Sequence, residues 1–147
     1  MARQSRTFKL RLSPAGMDLL IDSHCHLIRS TRALLAWGTT LHVAVECLET
    51  VPTATLRQTL ASKPEAGLFG AEEHHLGASR SLREIVSRIS ERISGPEASR
   101  PPPTIAQIYI VALQHLTRTD AETLCATYER MRTAGGADHR KVDLESS

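Results

Sequence analysis

Residues 6–31 read RTFKLRLSPAGMDLLIDSHCHLIRST, and this stretch decides the fold. Its first half alternates: Phe8, Leu10 and Leu12 fall on one side, Thr7, Lys9 and Arg11 on the other. That period of two predicts a half-buried strand over residues 6–13 with a basic outer face. Ser13 and Pro14 then change the period. Serine is a good N-cap, and proline at the first helical position gives up no hydrogen bond. From there Met17, Leu20, Ile21, His24, Leu27 and Ile28 recur at spacings of three and four, the apolar face of a helix.

His24 and His26 lie inside that periodic run, and the secondary structure settles what they can do. On a strand, residues two apart share a face and can hold one metal ion. On a helix they diverge by about 200° and cannot. The hexapeptide Asp22-Ser23-His24-Cys25-His26-Leu27 resembles the first-strand motif of the TIM-barrel amidohydrolases, particularly the TatD-like metal-dependent nucleases. That resemblance implies metal ligation by His24 and His26. A barrel of that kind needs about 250 residues, the chain has 147, and a Ser-Pro helix start precedes the motif. The helical reading is therefore preferred, with His24 on the apolar face, His26 solvated, and no metal or other cofactor.

Working outward, Ser30 or Thr31 is expected to cap a second helix, with Leu34, Trp37, Leu41, Val45 and Leu48 on one stripe and Pro52 as its stop. Gly38 inside it costs about 1 kcal/mol relative to alanine. A short helix follows Pro52. Residues 63–78, rich in glycine and charge, read as a loop. Residues 79–94 form an amphipathic helix with Leu82, Ile85, Val86, Ile89 and Ile93 inward. Residues 95–103, GPEASRPPP, read as a stiff linker. Residues 104–113 fit a helix or a buried strand and are assigned to helix. A final helix carries Leu124, Cys125, Tyr128 and Met131, and residues 134–147 read as a disordered tail. The units are thus 1–52, 53–94, 104–133 and the tail. The fold class is mainly α: a β-strand followed by two helices, then a helical C-terminal extension.

Composition narrows the function. Aromatic residues are 3% of the chain, so the core is aliphatic and a base-stacking platform is excluded. Net charge is only +2, but Arg3, Arg6, Lys9 and Arg11 crowd the first 13 residues with no acid among them. Three cysteines, Cys25, Cys47 and Cys125, show no CxxC spacing and read as reduced thiols in a cytoplasmic protein. No apolar run is long enough to span a membrane.

The segment RTFKLRLSPAGMDLLIDSHCHLIRSTRALLAWGTTLHVAVECL, a strand and two helices, resembles the ribbon-helix-helix family of DNA-binding proteins, although the usual interhelical glycine is missing. One strand and two helices of this size cannot enclose a core alone. The resemblance therefore implies a homodimer whose strands pair with each other and enter the major groove of double-stranded DNA. Thr7, Lys9 and Arg11 would face the bases. Arg3 and Arg6 would contact phosphates, as would Ser30, Thr31 and Arg32 at the start of the second helix. The implied role is non-enzymatic: transcriptional regulation, or an accessory task in plasmid transfer or partition. The alternative is a helical adaptor or inhibitor that binds a protein partner through residues 79–94. A degenerate metal-dependent hydrolase ranks last.

Overall fold

The computed structural model describes residues 6–95 and 101–146, with main chain alone at residues 6, 7, 78 and 135–146. Its elements are β1 (Arg6–Leu12), α1 (Pro14–Thr31), α2 (Trp37–Glu49), α3 (Thr53–Ala61), β2 (Glu72–Ala78), α4 (Arg80–Ile93), α5 (Ile105–Thr117) and α6 (Ala121–Ser146). The described residues are mainly helical, with one two-stranded antiparallel sheet.

The Ser13-Pro14 signal works as expected. Ser13 Oγ accepts from Gly16 N at 3.1 Å, and Pro14 opens α1. The same serine has a second task. Its main-chain N–H donates to Leu68 O at 3.0 Å, and its hydroxyl donates to Gly67 O at 2.7 Å. The turn before β2 is thereby fastened to the end of β1, and β2 is delivered alongside.

β1 pairs with β2 of its own chain, with Phe8 opposite Leu76, Leu10 opposite His74 and Arg11 opposite Glu73. This corrects two expectations. Within the chain β1 is paired by β2 where a sister strand was expected, and residues 63–78 are not all loop. EEHHLGA alternates weakly because histidine and glutamate stand where β-branched residues usually do. The core closes within one chain and runs across the expected boundary at residue 52. Leu10 and Leu12 share one buried cluster with α1, α2, α4 and α5.

α5 is the centre of that cluster. Ile108 through Leu113 are all buried. A helix enclosed on every side is apolar on every side, which is why its sequence also fits a buried strand. Its N-terminus carries a full capping box between Thr104 and Gln107. Phe8, on the inner face of the ribbon, meets Tyr109 edge-on, with centroids 4.8 Å apart and rings at 86°.

The second helix starts later than expected. α1 runs through Thr31 and ends at Arg32, whose φ of 57° is left-handed and whose N–H closes onto Ile28 O. α2 begins at Trp37, after an Ala36 N-cap with no side-chain bond. Leu34 is therefore not in the core; it stands in the connecting loop, 94% exposed, and Trp37 is 40% exposed. Leu41, Val45 and Leu48 are buried as expected. Gly38 explains itself here: a Cβ on it would lie 2.6 Å from Gly77 O, so its absence lets α2 press on β2.

The apolar stripe of α4 is wholly buried. Two arginines fix the corner beyond it. Arg92 donates to Glu49 O at 2.7 Å and Val51 O at 2.6 Å, occupying carbonyls at the end of α2. Arg57 donates to Ile93 O and Arg92 O at the end of α4. The tail from Ala134, expected to be disordered, continues α6 to Ser146. Gly135 and Gly136 cost roughly 1 kcal/mol each in a helix, and no proline follows to stop it. Most of the 95–103 linker, residues 96–100, lies outside the described residues, as does Arg3.

Two outcomes follow for stability in urea. Gly38→Ala destabilises the chain, although helix propensity alone favours alanine by about 1 kcal/mol. Arg92→Ala, which leaves part-buried carbonyls without a charged donor, costs about 1.5–3 kcal/mol, whereas Arg88→Ala, on the surface, costs clearly less.

Candidate nucleic-acid interface

The alternation of β1 and the register with β2 build one outward face. Lys9 stands opposite His75, Arg11 opposite Glu73, and Thr7 opposite Gly77. Arg6 stands opposite Ala78, at the end of the ribbon where α4 starts. The Lys9 and Arg11 side chains are 51% and 61% exposed. Both lean on one carboxylate: Glu73 Oε2 is 2.7 Å from Arg11 Nη2 and 3.6 Å from Lys9 Nζ. Exposed pairs of this kind are worth about 0–1 kcal/mol, so neither cation is committed. The opposite face of the ribbon is packed on the core through Phe8, Leu10 and Leu12, so the cations stand on a strand backed by the core.

Ser30, Thr31 and Arg32 do not join this face. They form the last turn of α1, where Ser30 Oγ donates to His26 O and Thr31 Oγ1 to Leu27 O. A helix C-terminus presents carbonyls and the negative end of the dipole. The expectation of a phosphate-binding helix start there is corrected. It misplaced the helix boundary because, without the interhelical glycine, the left-handed turn falls to Arg32.

His24 and His26 lie on α1 and diverge. His24, 8% exposed, has Nδ1 2.6 Å from Thr40 Oγ1 and stacks on Trp37 with centroids 3.9 Å apart. His26 is not simply solvated: its Nε2 donates to Thr119 O at 2.7 Å. The two imidazoles bind different elements, α2 and the turn before α6. No cluster of three or more ligating side chains occurs among the described residues. Cys47 is buried and lies 3.7 Å from Thr127 Oγ1; burial pushes its thiol above the usual range. Cys125 Sγ reaches Ser30 O. All three thiols are free.

The apolar face of α4, expected to dock a partner, is occupied by the chain's own core. Its outer face carries Arg80 near Glu84 at 3.5 Å, and Arg88 doubly bonded to Glu49 at 2.7 and 3.1 Å. No described helix is long and apolar enough to cross a membrane. No family model, curated protein or solved structure matches this chain.

Sequence reading missed Glu73 as a member of the ribbon face. The i, i+2 pair Glu73 and His75 against the polar side of β1 was the available signal.

Burial lowers the pKa of three imidazoles, His24, His42 and His115, below the ordinary 6.5, with Glu46 partly opposing the effect at His42 and Arg118 adding to it at His115. Each is preferentially neutral when folded. Their contribution is complete above pH 6.5 and is lost as pH falls from there through the lowered folded values. Urea midpoints, followed by the fluorescence of the chain's single tryptophan, Trp37, therefore fall on acidification below pH 6.5, and His24→Gln flattens that slope.

Proposed function

We propose that the chain is a small, non-enzymatic DNA-binding protein that lays the outer face of its β1–β2 ribbon on the duplex. The observation that carries this reading is the pair of half-exposed cations, Lys9 and Arg11, on a two-stranded ribbon whose other face packs on the core. A two-stranded ribbon has the width of the major groove. Arg11 offers a planar fork for guanine acceptors or a phosphate, and Lys9 a point charge. Arg6 and Arg3 extend the basic run towards the N-terminus. The regulatory or plasmid-accessory role on DNA is proposed by analogy with the ribbon-helix-helix proteins that the sequence of residues 6–48 resembles. Because the ribbon is complete within one chain, binding through it does not require a sister strand; a homodimer would present two such ribbons.

Glu73 competes with DNA for both cations. Fluorescence anisotropy with a labelled duplex at about 50 mM salt tests the reading. The chain binds; Lys9→Ala with Arg11→Ala weakens binding and lowers the salt slope by about 2; Glu73→Gln strengthens it. Absence of binding at that salt, or indifference to all three changes, refutes it.

A second reading, docking of a protein partner, rests on Leu34. It borders a groove of about 490 Å³ together with Leu35, Tyr128 and Met131. Leu34 is 94% exposed, while Leu35, Tyr128 and Met131 are partly buried against the core, so the groove offers an apolar floor beside one free leucine.

A further inference from the structure

A separate cleft of about 320 Å³ lies where the end of α2, the end of α5 and the first turns of α6 meet. Its hydroxyls are already oriented. Thr50 donates to Cys47 O at 2.7 Å, Thr119 to His115 O at 2.8 Å and Thr127 to Thr123 O at 2.9 Å. A hydroxyl has one proton and two lone pairs. With their protons directed at main-chain carbonyls, Thr50 and Thr119 offer acceptors to whatever enters, while Thr127, which is buried, already accepts from Cys47 Sγ at 3.7 Å. The lining therefore offers hydroxyl acceptors and suits a ligand that brings N–H groups.

The two ends carry opposite charges. Glu122 and Arg130 both line the cleft from α6, eight positions apart, roughly 12 Å along the axis. At that spacing the two do not pair with each other, and neither has an ion-pair partner among the described residues. A single anion or cation would satisfy one end and leave the other. A free α-amino acid is too short to reach both, since an extended chain advances about 3.3 Å per residue.

We infer that this cleft binds an elongated zwitterion, its ammonium at Glu122 and its carboxylate at Arg130, with N–H groups between them directed at the threonine oxygens. A free tripeptide has this chemistry; so, without the internal N–H groups, does an ω-amino acid.

Calorimetric titration of the full chain with trialanine tests the inference, with 6-aminohexanoate as the arm that lacks internal amides and N-acetyl-trialanine amide as the arm that lacks both charges. The expected result is saturable binding of trialanine at one site, weaker binding of 6-aminohexanoate, and none of the blocked peptide. Glu122→Gln and Arg130→Gln, both at exposed positions that leave the core untouched, each weaken trialanine by about fivefold, the worth of one surface ion pair. Equal binding of blocked and free peptide, no change in either variant, or no saturation by about 10 mM overturns it. If 6-aminohexanoate binds as tightly as trialanine, the role of the threonine acceptors is refuted.

Discussion

The antiparallel pairing of β1 with β2 is the constraint on which the remaining structure depends. The partners are separated by three helices, so their meeting is a long-range event whose loop-closure entropy must be overcome. Two local devices offset that cost. Ser13 binds the turn before β2 through its main-chain N–H and its hydroxyl while also capping α1. Phe8 then sets the inner face of the ribbon on Tyr109, at the centre of the most enclosed helix. With the ribbon seated, the glycine contact between Gly38 and Gly77 brings in the start of α2. Loss of the pairing would expose Leu10, Leu12 and Leu76 together, each side chain worth about 1.5–3 kcal/mol when buried.

The same pairing determines what the surface can do. A basic strand alone would carry Lys9 and Arg11 without opposition. Paired with β2 it receives Glu73, which lies between the two cations. The ribbon face is thus more nearly neutral than the first 13 residues suggest, and any affinity for an anion is moderated from inside the molecule. The helix dipoles that might have added to it are used elsewhere. The start of α2 packs against β2 and the His24 imidazole, and α1 ends, rather than begins, beside Ser30 and Thr31.

Much of this was legible in residues whose local signal agrees with their tertiary setting. The β1 alternation, the Ser13-Pro14 helix start, the α4 stripe and the helical setting of His24 and His26 all belong to that group. What could not be read was non-local. EEHHLGA is a strand because β1 is beside it, not because its residues favour one. Leu34 fits the helical stripe of α2 by spacing, yet the left-handed turn at Arg32 strands it in solvent. The enclosure of the core is non-local in the same way. Residues 1–52 alone hold too little apolar surface for a core, and α4 and α5 supply the enclosing surface from the same chain.

The most direct test of the account is an isotope-filtered NOE experiment on an equal mixture of labelled and unlabelled chain. Cross-strand contacts between β1 and β2, such as Leu10 with His74 and Phe8 with Leu76, should appear only within a labelled molecule. Contacts from β1 of a labelled chain to β1 of an unlabelled one, with the β1–β2 contacts missing, would contradict it.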